Sequence, residues 1–174
     1  MTYERAKIVP FGKPKTRKKD PLSIVPNPAY DVSKIDLAFK QKGKLETVIH
    51  SSGDAYDVLL KAWDENTLDL REEGKALYLN RANYVLSVFD NSKGGITGTV
   101  MDPRHIIYAA LEQNATSIIL AHNHPSGGLK PSRQDEELTS KISQAAKFFD
   151  LKVLDHVIMS RNGYFSFADE GLVI

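Results

Sequence analysis

Apolar and polar positions alternate along this chain with two periods, and the periods trade places in a regular order. Ile35-Asp36-Leu37-Ala38-Phe39-Lys40 alternates as a strand does, Gly43 marks a turn, and Glu46 to Ile49 returns as a second short strand. Ser51-Ser52 precede a helical stretch from Gly53 to Asp64, whose stripe is Ala55, Val58, Leu59 and Ala62-Trp63. Lys75–Leu79 and Tyr84–Phe89 form a hairpin across Asn80-Arg81-Ala82-Asn83, and Gly94-Gly95 turns the chain into a strand at 96–101. Asp102-Pro103 is a helix start, with a capping acid and proline at the first helical position; that helix runs to Gln113 and buries Ile106, Ile107, Ala110 and Leu111. A strand at 116–121, a helix from Arg133 to Phe149 and two strands, Val153–Ser160 and Tyr164–Phe167, joined at Asn162-Gly163, complete the order. The expected class is α/β: a mixed, largely antiparallel sheet flanked by helices.

The chemistry gathers where the 116–121 strand ends. The run Ile118-Ile119-Leu120-Ala121 is short and apolar, as a buried strand requires, and it stops at His122-Asn123-His124-Pro125. Residues i and i+2 of an extended chain point to the same side, so His122 and His124 project together. Gly127, Gly128 and Pro131 make a loop, and Ser132 to Asp135 opens the next helix. Two imidazoles and a returning carboxylate suit a catalytic zinc, which takes three protein ligands and keeps one position open. A plainer reading stands beside that one. Ser132-x-x-Asp135 is close to a capping box, in which the serine caps the helix and the acid only complements its dipole. The two readings do not exclude each other.

Composition limits the alternatives. A length of 174 residues suggests one domain with an appendage, and an apolar fraction of 41% is ordinary for a globular protein. With no cysteine there is no disulfide framework and no thiolate metal site, so a metal must use His, Asp or Glu. No signal-peptide core or membrane-length apolar run is present, which makes a cytoplasmic location the expectation. Charge is unevenly placed. Residues 1–20 hold seven basic side chains against Glu4 and Asp20, a net +5, whereas the whole chain is only +1. Such an arm can neutralise phosphates and bind nucleic acid weakly, or it can be a solvated terminus. It contains no interleaved aromatic platform for stacking single strands. The expected organisation is a basic, proline-containing arm over 1–28, a strand extension over 29–50 and a domain over 51–174. The strand at 35–40 leaves an edge through which two copies could pair.

His122-x-His124-Pro125, six residues, then Ser132-x-x-Asp135 resembles the JAMM metalloprotease signature of JAB/MPN domains. His-Asn-His-Pro-Ser-Gly is similar to the RadC family in particular. Leu154-Asp155-His156, Tyr164 to Gly171, Gly95 to Thr99 and Asp102-Pro103-Arg104 extend the resemblance, in order, from about Ser51 to the end. It implies an MPN, cytidine-deaminase-like fold, zinc held by His122, His124 and Asp135, and an activated water attacking an amide or isopeptide bond of a peptide substrate. It also implies a glutamate general base from an upstream element, with Ser132 Oγ steadying the water or the developing oxyanion. Counting back seven residues from Asn80, as RadC-like sequences do, assigns the base to Glu73. Its neighbour Glu72 is the competitor and Glu46 the next candidate. Strand alternation puts Glu73 with Lys75, Leu77 and Leu79 on one side and Glu72 with Ala76 and Tyr78 on the other, and a bulge at Gly74 would swap the two. His50, His105 and His156 receive no metal duty, and His156 is expected to be a hydrogen-bonded structural residue. Longer RadC proteins carry a helix-hairpin-helix-like segment first. Residues 1–50 show none, so this looks like a short form. Two alternatives to a zinc hydrolase remain: a DNA-associated accessory protein acting through the arm, in keeping with the family's DNA-repair name, and a JAB-fold interaction module.

Overall fold

A computed structural model describes residues 45–94 and 101–172. The basic arm, the strand expected at 35–40 with its turn at Gly43, and all but the last residue of the strand expected at 96–101 lie outside the described residues. Among the described residues eight elements follow in order: α1 (Ser52–Ala62), β1 (Glu73–Leu79), β2 (Val85–Lys93), α2 (Pro103–Glu112), β3 (Ser117–Asn123), α3 (Arg133–Lys147), β4 (Lys152–Ser160) and β5 (Gly163–Ser166). The five strands form one open sheet in the order β2-β1-β3-β4-β5. Every neighbouring pair is antiparallel except β3 with β4, which is parallel and is bridged by α3. The expected mixed, largely antiparallel α/β sheet is what forms.

Each helix starts where its cap sits. Ser51 accepts from the Asp54 N–H while the Asp54 carboxylate accepts from the Ser51 N–H, a closed capping box. Asp102 accepts from the Arg104 N–H, with Pro103 in the first turn of α2. Ser132 and Asp135 close a second capping box on α3. The expected strand at Glu46–Ile49 is reduced to one bridge, Val48 with Tyr84, because this segment meets β2 only at its start.

β1 and β3 are buried along their whole length, and the two faces of the sheet carry two cores. On one face Ala76, Tyr78, Ile118 and Leu120 pack with Ile106 and Ala110 of α2 and Ile142 and Ala146 of α3. On the other, Leu77, Leu79, Ile119, Ala121, Val157 and Met159 pack with Ala55 and Leu59 of α1. The period of two in the strands thus sorts residues between a face bearing two helices and a face bearing one.

Of the three register shifts in the sheet, two bear on which side chains reach the site. Between β1 and β2, Gly74 pairs with Ser92 and Lys75 with Asp90, so the extra residue, Asn91, belongs to β2. Its side chain accepts from the Asp102 N–H, tying the edge strand to the start of α2. Between β3 and β4, Ile118 pairs with Val153 and Ile119 with Asp155, so Leu154 is the extra residue of β4. Beyond it, His156 pairs with Leu120 and shares its face.

Candidate metal centre

His122 and His124 close the C-terminal end of β3, on the face covered by α2 and α3. Their Nε2 atoms lie 3.0 Å apart. The Asp135 carboxylate reaches His122 from the first turn of α3, with Oδ1 3.3 Å from His122 Nε2. Its other oxygen belongs to the capping box, accepting from the Ser132 N–H at 2.7 Å and Ser132 Oγ at 2.6 Å. The capping-box acid and the candidate ligand are therefore one residue, with its two oxygens divided between two tasks. Glu72 comes in from the segment just before β1, its Oε1 3.6 Å from His124 Nε2. Donor atoms of Glu72, His122 and His124 all lie within 4.8 Å of one another.

The rings are fixed from behind. His124 Nδ1 donates to the Gly128 carbonyl at 2.5 Å. Gly127, in the left-handed region at φ 78°, turns the loop so that this carbonyl comes back onto the ring. His122 Nδ1 sits 2.8 Å from Nε2 of His156, whose Nδ1 is 2.5 Å from Thr139 Oγ1. Burial pushes His122 down to about 4, with the Asp135 carboxylate pulling the other way and His124 adding to the fall. Burial likewise holds His156 well below the usual histidine value. Burial thus favours the neutral form of both rings, and for His122 that is the form a metal takes up.

The donor set fits a zinc ion. Histidine nitrogens sit roughly 2.0–2.1 Å from a tetrahedral ion, which places two of them about 3.3 Å apart, close to the spacing of this pair. Two nitrogens and a carboxylate oxygen make a three-ligand set, and a fourth oxygen-bearing group stands alongside.

Of the two adjacent glutamates weighed as the base, the structure brings Glu72 to the histidines. Glu73 is not brought to the histidines. It faces the α1 side, nearly fully buried, and its Oε1 accepts from Arg71 Nε at 2.7 Å. Glu72 occupies the histidine face because β1 keeps its alternation: Gly74 pairs with His122 without a shift, and the bulge lies in β2. Gly74 itself has no room for a side chain, since a Cβ there would collide with Met101 and Ser92 Oγ. Glu46 is exposed and next to Thr47, whose carbonyl accepts from Val85 N at the opposite end of β2. Ser132 stays beside the site as the cap of α3.

Asn123, between the two histidines, points to the opposite face and is fully buried. Its Oδ1 accepts from the Glu73 N–H at 2.7 Å, and its Nδ2 donates to the carbonyls of Leu68 at 2.6 Å and Arg71 at 2.9 Å. It pins the segment that carries Glu72. Alternation alone could have flagged it, since an amide inside a buried strand must find partners.

A strand ending in two histidines, a capped helix returning an aspartate and a glutamate from the segment just before the neighbouring strand define a JAB-type domain with a candidate metal centre. The family model for the RadC-like JAB domain matches residues 49–172, and the chain belongs to this family. It is 41% identical over 145 residues to a UPF0758 protein of Flavobacterium johnsoniae, covering 81% of this chain and 62% of that one. It is 44% identical over 104 residues to a UPF0758 protein of Porphyromonas gingivalis, covering 59% and 46%. The chain thus spans about half to three fifths of these two relatives. The UPF0758 protein YeeS of Escherichia coli is 38% identical over 133 residues, covering 74% of this chain and 90% of YeeS. Among the described residues, no helix is long and apolar enough to cross a membrane.

Proposed function

We propose that this chain is a zinc-dependent hydrolase of the JAMM type, acting on an amide or isopeptide bond. The supporting observation is the convergence on His122 and His124 of two carboxylates held differently: Asp135 locked by its capping box, Glu72 at 3.6 Å from His124. His122, His124 and Asp135 would hold the ion, which when bound supplies Lewis acidity and lowers the pKa of water toward neutrality. The remaining work belongs to the chain. Glu72, rather than Glu73, takes a proton from the attacking water and returns it to the leaving amine. Ser132 Oγ, whose single proton rests on Asp135 Oδ2, would have to turn that proton from the carboxylate to steady the developing oxyanion. Metal analysis of protein purified without added metal, followed by assay of isopeptide-linked and linear peptides, tests the reading. One zinc per chain and chelator-reversible cleavage are expected; a chain that takes up no zinc from solution overturns it.

The charge of residues 1–20 favours a second reading, in which the arm binds nucleic acid in the non-specific range of about 10⁻⁴–10⁻⁶ M at physiological salt. A chain beginning at Pro21 should lose that salt-dependent binding; equal binding by both forms makes the arm irrelevant.

A further inference from the structure

We propose that Thr139 and His156 set the tautomer of His122, so that its Nε2 presents a lone pair to the metal and not a proton. The inference rests on the metal site proposed above and deepens it, because 3.0 Å between His122 Nε2 and His124 Nε2 is also the length of an ordinary N–H···N hydrogen bond. Which of the two it is depends on where the protons are.

The proton positions follow from counting, starting at the one group whose role is fixed. A backbone carbonyl can only accept. Thr139 Oγ1 lies 2.6 Å from the Asp135 carbonyl, one helical turn back in α3, and must donate to it. The hydroxyl has a single proton, so toward His156 it can only accept. His156 Nδ1, at 2.5 Å, therefore carries the proton. A neutral imidazole has one N–H, which leaves His156 Nε2 bare. His156 is fully buried and its ring nitrogens meet Thr139 Oγ1 and His122 Nδ1, neither of them an anion that would hold a second proton, so the neutral ring is the species the geometry accommodates. Facing that bare nitrogen at 2.8 Å, His122 Nδ1 must be the donor, and His122 Nε2 is left without a proton. His124 reaches the same state by a shorter route, its Nδ1 proton being committed to the Gly128 carbonyl.

Two bare nitrogens then face each other. Lone pair against lone pair at this distance is repulsive, and only a cation between or beside them relieves it. The relay thus converts a geometry that could have been a histidine–histidine hydrogen bond into a cation site. It also explains why a hydroxyl and an imidazole are buried behind His122 where a leucine would fill the space. The usual arrangement gives a metal-bound histidine a carboxylate, carbonyl or water behind it. Here a second histidine, itself oriented by Thr139, does this. Thr139 and His156 are positioning residues; neither touches the metal.

Nitrogen-resolved NMR of the imidazoles in the full chain tests this, with and without zinc. The expected result is an Nδ1–H on both His122 and His156 in either state. A His122 ring with its proton on Nε2 and a bare Nδ1 overturns the proposal. Thr139→Val supplies the second arm. Without the hydroxyl, His156 is free to carry its proton on Nε2, which drives the His122 proton onto the coordinating nitrogen. Zinc affinity, read by competition with a chelator, should fall about 10–100-fold, the range for loss of a group that orients a ligand. Thr139→Ser, which keeps the hydroxyl and drops only the methyl, should restore it. Wild-type affinity in Thr139→Val, or equal loss in both variants, overturns the proposal. If the wild-type chain binds no zinc, the hydrolase reading falls, and the tautomers of the metal-free protein decide the relay by themselves.

Discussion

The end of β3 presents the same kinds of groups to both faces of the sheet and uses them in opposite ways. On the α2/α3 face stand Glu72, His122 and His124, whose donor atoms lie within 4.8 Å of one another, with Asp135 against His122. On the α1 face, one residue out of phase, stand Glu73, Asn123, Arg71, Lys75 and Asp90. There each charge is matched: Glu73 with Arg71, and Lys75 with Asp90, while Lys75 Nζ also lies 4.8 Å from the centre of the Trp63 ring. Asn123 fills its hydrogen-bonding capacity on backbone. What separates a site from a structural cluster here is therefore not polarity or burial. It is whether donors and acceptors cancel. On the α1 face they do, and the result is a brace. On the other, histidine nitrogens stand 3.0 Å apart with carboxylates beside them, a grouping that could hold a cation.

The largest expected effect falls on the site face. Replacing His122 and His124 together with alanine should take zinc content from stoichiometric to background by elemental analysis. Full occupancy in the double variant would remove the metal from this face altogether. Next comes the contrast between the adjacent glutamates. Glu72→Gln should keep zinc and lose hydrolysis by about 10²–10⁴-fold. Glu73→Gln should leave turnover within a few-fold and cost about 1–2 kcal/mol of stability, through its bond to a half-exposed arginine. Turnover and urea denaturation of the two variants measure this, and the reverse pattern would exchange their roles.

Asn123→Ala sharpens the structural side. It leaves one buried N–H and two carbonyls without their partner, and about 2–3 kcal/mol should be lost in chemical denaturation. A neutral result would mean that the segment before β1 is held by other contacts. Ser132→Ala is the smallest change. Losing the α3 cap should cost about 1 kcal/mol. Zinc should stay bound, because Asp135 also accepts from the Ser132 backbone N–H, which the substitution leaves in place. Thermal unfolding with metal analysis checks both halves.

Much of this arrangement was legible before any coordinates. Helix starts were carried by Ser51, Asp102-Pro103 and Ser132, because capping is local chemistry written within four residues. The shared side of His122 and His124 follows from strand alternation alone. The choice between Glu72 and Glu73 was not legible, because it turns on which strand of a pair holds the extra residue. A bulge in β1 and a bulge in β2 predict opposite faces, and the glycine at 74 was compatible with either. The family count favoured Glu73; alternation unbroken through Gly74 placed Glu72 with Ala76 and Tyr78, as the structure does. His156 and Thr139 are harder still, since their contact joins α3 to β4 and their meeting with His122 joins β4 to β3. Burial of His156 as a hydrogen-bonded residue was expected from its apolar strand, but the identity of its partners is a tertiary fact.

The extra residue in β4 has a consequence for how lineages of this domain can change length. Ile118 and Ile119 are adjacent, yet their partners are Val153 and Asp155, so the ladder does not count Leu154. Excising that single codon would let Val153 and Asp155 follow one another directly and leave every pairing on either side intact. Removing a residue anywhere between Asp155 and Met159 would instead turn part of the strand over and exchange what its two faces present. Position 154 is thus a place in this strand where the loss of a residue would leave His156 in register.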